Sequence, residues 1–222
     1  VAKPEETDDS LSRADTAAEQ IRALLISGEL VPGQRLSETA MSERLGISRN
    51  TLREAFRMLT HERLLTHKPH AGVFVVVPSL ATIIDIYRVR RMIECQAIRQ
   101  APPRHPASRR MRTAVDAALR GRDASDWLAV GTANMEFHSA IVALADSDHL
   151  DRLYANMSAE LRLAFGTLHD PEYLHHPYIE RNATLLDLYL SGDADAAATE
   201  LDDYLMQSER TVVATYARQL AR

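Results

Sequence analysis

Cysteine is nearly missing from this chain: Cys95 is the only one in 222 residues. That excludes a disulfide framework and a cysteine-based zinc site. Tryptophan occurs once as well, at Trp127. Long apolar runs are also missing. The longest stretch without a polar residue is Ala71–Val77, far short of the ~20 residues that a bilayer span needs, so no membrane partner is expected. The opening Val1-Ala2-Lys3-Pro4-Glu5-Glu6 lacks the basic and apolar segments of a signal peptide, and the chain reads as cytoplasmic. Catalytic signatures are missing in turn. There is no nucleophile paired with a base, no phosphate-cradling glycine loop and no His-Glu-x-x-His, so an enzyme is not expected.

What is present is an ordinary globular composition, 45% hydrophobic and 26% charged, which excludes disorder for the chain as a whole. Net charge is −5, and on its face that argues against nucleic acid. The average conceals a contrast. Between Arg44 and His70 stand Arg44, Arg49, Arg53, Arg57, Arg63 and Lys68 against only Glu54 and Glu62, a local +4. Residues 79–222 carry 16 basic and 20 acidic side chains. A concentrated basic patch matters more for phosphate binding than the whole-chain sum.

Residues 1–12 are polar and acidic and read as a disordered arm. Helical spacing of Ala17, Ile21, Leu24 and Leu25 predicts a helix over Ala14–Ser27. After the Pro32-Gly33 turn, Ser37 can cap a short helix to Leu45, which Gly46 ends. Ser48 can cap a third helix, Arg49–His61. Extended runs Leu64–His67 and Val73–Val77 then form a hairpin through Lys68-Pro69-His70-Ala71-Gly72. Beyond Pro78 the sequence turns helical, with helices over Leu80–Gln100, Ala107–Arg122, Asp126–Ala145, His149–Leu168, Pro177–Leu190 and Ala194–Leu220. The fold class is therefore mainly α. An N-terminal unit of three helices, the last two in helix-turn-helix order, and a β-hairpin (13–78) precedes an antiparallel helical bundle (79–222) that is long enough to bury its own core.

In the third helix, Leu52, Ala55, Phe56 and Leu59 form one apolar stripe, and Arg49, Arg53 and Arg57 recur every fourth residue beside it, next to Asn50. Arginine donates in pairs to guanine edges or phosphates, and asparagine to adenine. An arginine stripe alone is more often a solvated face. Here it follows a helix and turn and precedes a hairpin whose Gly72 permits close backbone approach to a phosphate.

Three segments, Pro32-Gly33-Gln34-Arg35-Leu36-Ser37-Glu38, Leu45-Gly46-Ile47-Ser48-Arg49-Asn50-Thr51-Leu52-Arg53-Glu54-Ala55 and Gly72-Val73-Phe74-Val75, resemble the winged helix-turn-helix of the GntR family of bacterial transcription regulators. The resemblance implies DNA contacts from Ser48, Arg49, Asn50 and Arg53, with His70 and Gly72 at the wing tip and Arg57 flanking. Arg63 departs from it, standing where glycine is usual, as does Thr51, at a proline-or-threonine position. The helical half resembles the FCD domain of that family's carboxylate-responsive branch, through Tyr87-Arg88-Val89-Arg90 to Glu94, Glu136-Phe137-His138 and Ser191-Gly192-Asp193. That implies a cavity for a small anionic effector and a homodimer reading a short palindrome of double-stranded DNA.

Many FCD domains hold a divalent metal through one aspartate and three histidines. By that resemblance Asn134 stands for the aspartate, His138 is retained, Arg181 stands for the second histidine and Tyr204 for the third. One imidazole, an amide, a phenol and a guanidinium do not make a metal site, so no metal and no cofactor is expected. The effector-binding set is then Arg90, Asn134, His138, Arg181 and Tyr204. Either Arg90 pairs with Glu94, one helical turn on, or it offers its guanidinium to an effector carboxylate. His149, His169, His175 and His176 are candidates for an unrelated site, and the arginine-rich Arg104–Arg122 reads as a solvated face. The leading expectation is a ligand-responsive DNA-binding repressor. The alternatives are a metal-sensing regulator built around His138 and a helical enzyme fused to a DNA-binding module.

Overall fold

A computed structural model describes residues 12–168 and 170–220. The expected arm, apart from Ser12, and His169 lie outside the described residues.

Helix α1 (Arg13–Ile26) starts at a reciprocal cap: the Ser12 hydroxyl accepts from the Asp15 amide while the Asp15 carboxylate accepts from the Ser12 amide. Helix α2 (Glu38–Leu45) is capped by Ser37 and ended by Gly46 in the left-handed region, φ +65°. Helix α3 (Arg49–His61) begins at Ser48, where the sequence pattern places it. Strands β2 (Leu65–Lys68) and β3 (Gly72–Val75) form the hairpin. A two-residue strand, β1 (Arg35–Leu36), completes an antiparallel sheet in the order β1-β3-β2, with Arg35 opposite Phe74 and Thr66 opposite Phe74 on the other edge. The sequence reading has no strand at β1, because two residues carry no alternation. Ile21, Leu25, Leu52, Phe56, Leu59 and Leu64 fill the core of this unit, and burying each such side chain contributes ~1.5–3 kcal/mol.

The second unit comprises α4 (Leu80–Gln100), α5 (Ser108–Asp123), α6 (Trp127–Val142, extended by a 3-10 turn Ala143–Ala145), α7 (Asp148–Gly166), α8 (Pro171–Leu190) and α9 (Ala194–Leu220). Helix α4 packs along α9 and α5 along α6, with α8 set against α5, α6 and α9. Their shared core holds Tyr87, Phe137, Ile141, Leu185, Tyr189 and Tyr204. Helix α8 starts six residues before the expected Pro177. Asp170 caps it and Pro171 takes the first-turn position where a missing N–H costs nothing, leaving Pro177 inside the helix. By length and composition Trp127–Ala145 is apolar enough to cross a membrane, yet half of it is buried inside the bundle; its apolarity is that of a core helix.

The two units touch through α1 and α7. Ala159 and Leu163 of α7 join the core of the N-terminal unit, and Arg162 Nε donates to the Ile26 carbonyl at 2.8 Å.

Candidate nucleic-acid interface and effector site

Helix α3 buries Leu52, Ala55, Phe56 and Leu59 and leaves Arg49, Asn50, Arg53 and Arg57 exposed along its other flank. Its first turn is held by Ser48, whose Oγ accepts from the Thr51 amide at 3.2 Å and meets the Thr51 hydroxyl at 2.9 Å. Both leading arginines lean on α2. Arg49 Nη2 donates to Thr39 Oγ1 at 3.2 Å, and Arg53 Nε to Glu38 Oε2 at 2.9 Å. The Arg53 side chain remains 58% exposed. An ion pair this open contributes at most ~1 kcal/mol, so the guanidinium can leave it for a base edge or a phosphate.

His70 (φ +60°) and Gly72 (φ +103°) form the hairpin turn. A Cβ at Gly72 would face Arg35 Nε at 3.5 Å, which puts a further guanidinium at the base of the wing. Lys68, opposite Gly72 in the ladder, stacks its ammonium 4.7 Å from the Phe74 ring centroid. Sequence reasoning did not single out Arg35 as a contact, because its closeness to the wing depends on β1. Arg63 adopts φ +62°, the left-handed turn that a glycine would take without strain.

The polar centre of the bundle is a chain of hydrogen bonds around Glu94, which is 0% exposed. Its carboxylate accepts from Arg90 Nε at 2.8 Å and from the Tyr154 hydroxyl at 2.7 Å, and lies 2.6 Å from His138 Nδ1. His138 Nε2 is 3.0 Å from the Tyr204 hydroxyl, which donates to Asn134 Oδ1 at 2.8 Å; Asn182 Nδ2 donates to the same oxygen at 2.8 Å. Burial pushes the Glu94 carboxyl up, but Arg90 and His138 outweigh it and hold it down at about 2. His138 is lowered from its ordinary value, chiefly by burial.

The structure thus brings Arg90, Asn134, His138 and Tyr204 together, and the internal pairing of Arg90 with Glu94 is the one it adopts. Arg181 is a correction. It takes no part in this hydrogen-bond chain: its Nε donates to Glu200 at 2.7 Å and its Nη2 to Asp203 at 3.1 Å, and its guanidinium lies over the Tyr204 ring, 5.1 Å from the centroid. The residue facing Asn134 is Asn182. One residue along a helix is a rotation of 100°, and the sequence pattern does not resolve it. The centre therefore carries one cation fewer than expected from Arg181. Its donors are one imidazole engaged at both nitrogens, two amides, two phenols and a carboxylate already paired with Arg90, a set that does not fit a resident metal. Asn182 and Tyr154 are the members that sequence reasoning missed. Among the described residues no group of three or more His, Cys, Asp or Glu is placed to hold a metal. His149 is exposed beside Arg152, His176 packs on Trp127 and His175 is buried elsewhere.

A capped helix with exposed guanidinium groups, set behind a short helix and followed by a basic hairpin, defines a winged helix-turn-helix DNA-binding transcription regulator. Comparison with known proteins makes the assignment specific. The family model described as "Bacterial regulatory proteins, gntR family" matches residues 13–75, and the "FCD domain" model matches residues 85–207; the chain belongs to the gntR family and carries an FCD domain. It is 30% identical to the Nta operon transcriptional regulator of Aminobacter aminovorans over 64% of this chain and 68% of that one. With the galactonate operon transcriptional repressor of Escherichia coli it shares 24% identity over 95% of this chain and 98% of the other. A GntR transcriptional regulator from Rhodococcus sp. RHA1 superposes with a TM-score of 0.87 at 36% identity, covering 93% of this chain and all of that one. These relatives are regulators, and this protein is a regulator and not an enzyme.

Proposed function

We propose that the protein is a ligand-responsive repressor that works in the cytoplasm as a symmetric dimer on a short palindromic operator. The observation that carries this is the Arg49–Asn50–Arg53 face of α3, fully outside the core on a helix whose first turn is fixed by Ser48. Arg49 and Arg53 read base edges, Ser48 and Arg57 meet phosphates, and His70 and Gly72 bring the wing to the backbone or the minor groove. One such helix spans too few base pairs to select a site, so two copies about a dyad are required. Repression follows the E. coli galactonate relative, which is named as a repressor. The bundle takes a small anionic metabolite, with Arg90 as its counter-charge and Asn134, His138 and Tyr204 as hydrogen-bonding neighbours. An effector carboxylate there shares Arg90 with Glu94.

The test is operator competition at fixed salt. Arg49→Ala should lose about 1–3 kcal/mol of discrimination at one base pair of each half-site, and unchanged operator preference removes the base-reading role. Light scattering of the operator complex should give two protomers per site; a monomer bound one-to-one overturns the dimer.

A further inference from the structure

A second polar feature lies outside the centre, at the seam between the two units. A cavity of about 230 Å³ opens there, bounded by Leu25, Gly28 and Pro32 from the N-terminal side and by Trp127, Arg162 and His175 from the bundle. Arg162 is only 6% exposed. Its Nε is spent on the Ile26 carbonyl, but its Nη2 is buried with no hydrogen-bond partner, and among the described residues no carboxylate pairs with it. This sets it apart from Arg90 and Arg181, each of which has carboxylate partners. A buried, unpaired guanidinium costs several kcal/mol unless something balances its charge.

Two further features point to an absent partner. His175, 4% exposed, makes no hydrogen bond among the described residues and stands edge-on to Phe165 at 5.4 Å between ring centroids. Gly131, inside α6, leaves the room these side chains occupy. A Cβ there would come 2.7 Å from His175 Nε2 and 3.0 Å from Arg162 Nη1. Glycine in a helix interior costs about 1 kcal/mol relative to alanine, and here it admits two polar side chains, one of them a cation with no carboxylate partner among the described residues.

We infer that this seam cavity is an anion site for a small aliphatic monocarboxylate, whose carboxylate accepts from the Arg162 guanidinium and whose apolar part lies against Trp127 and Leu25. The volume falls below the ~300–1,000 Å³ of drug-sized pockets, which suits an acid of a few carbons. The inference rests on the bundle being an anion-responsive domain but places an anion apart from Arg90. Because Arg162 also holds the carbonyl end of α1, occupancy bears directly on how the DNA-reading unit sits on the bundle. A ligand that favours one such arrangement shifts operator affinity by that difference.

Trp127 is the only tryptophan, so its fluorescence reports on the cavity without a label. Full-length protein is titrated with butyrate and isovalerate, and with butyramide and isovaleramide as uncharged counterparts. The expected result is a saturable change for the acids and not for the amides, weakened at least tenfold in Arg162→Met and in Gly131→Ala. Arg162→Met removes a buried charge and keeps a long side chain, and Gly131→Ala keeps the charge but displaces it, so the two variants check each other. Arg99→Met, which removes an exposed arginine paired at the surface with Asp195, should leave these titrations unchanged. A response carried equally by the amides, acid binding retained in Arg162→Met, or no saturable response in the parent protein overturns the site. Binding lost in Arg90→Met but kept in Arg162→Met assigns the anion to the centre instead, and operator affinity unmoved by saturating isovalerate overturns the regulatory coupling.

Discussion

Replacing Glu94 with glutamine is the sharpest perturbation of the bundle, because it changes charge and almost no volume. Glu94 is fully buried and is the carboxylate partner of Arg90, itself 5% exposed, while accepting from Tyr154 and facing His138. Glutamine keeps one acceptor oxygen but leaves the guanidinium without a counter-charge in the interior. Breaking a buried pair by removing one partner costs ~3–5 kcal/mol. For a chain of this length ~1 kcal/mol moves Tm by ~2–4 °C, so the bundle transition should fall by roughly 6–20 °C. Arg90→Met combined with Glu94→Leu removes both charges and should recover most of the loss. The pH dependence has a definite sign. The Glu94 carboxyl is held at about 2, below its ordinary 4.5, so its contribution is complete above pH 4.5 and is lost as pH falls towards 2. Calorimetry of Glu94→Gln should show that acid-linked loss abolished. A fall of Tm under ~3 °C, less than this scaling gives for even 2 kcal/mol, or a double variant no more stable than the single one, refutes the reasoning.

Other predictions follow from single positions. Arg57→Ala should weaken binding to operator and random duplex about equally and flatten the dependence of log K on log salt by about one unit, as loss of one phosphate contact does. Arg63→Gly should stabilise the N-terminal unit by about 1 kcal/mol in urea unfolding, since it relieves a side chain held at φ +62°; destabilisation would mean that the Arg63 side chain holds the turn. His175 is pushed down from 6.5 to about 4, first by burial and then by the Arg162 charge. Its folded form resists protonation, so stability should drop as pH falls from 6.5 to 4, by about 3 kcal/mol at 1.4 kcal/mol per unit. His175→Met should reduce that slope by one proton's worth, read from urea unfolding at pH 4 to 7.

The DNA-reading unit was legible because its signals are local. Ser48 beside an amphipathic run places α3 to the residue, and Gly46 ends α2 where a left-handed residue is needed. The i,i+4 spacing of Arg90 and Glu94 allowed an ion pair as one of two readings, and the fold forms it. Strand β1 was not legible, since two residues become a strand only when β3 lies beside them. Helix α8 was misplaced because two prolines compete for its first turn, and the Asp170 cap, not Pro177, decides it.

What the sequence by itself determined is therefore the class of protein: helix periodicity, caps and the arginine stripe are set by residues within a few positions of one another. Only the tertiary structure decided which polar side chains meet. Asn182 rather than Arg181 faces Asn134, because adjacent helix positions differ by 100° and packing chooses between them. Arg162, a lone charge in the apolar run Leu161–Phe165, comes to lie unpaired beside His175 and under the end of α1, across more than a hundred residues of chain. Its burial is a property of three elements brought together, and no one of them carries it alone.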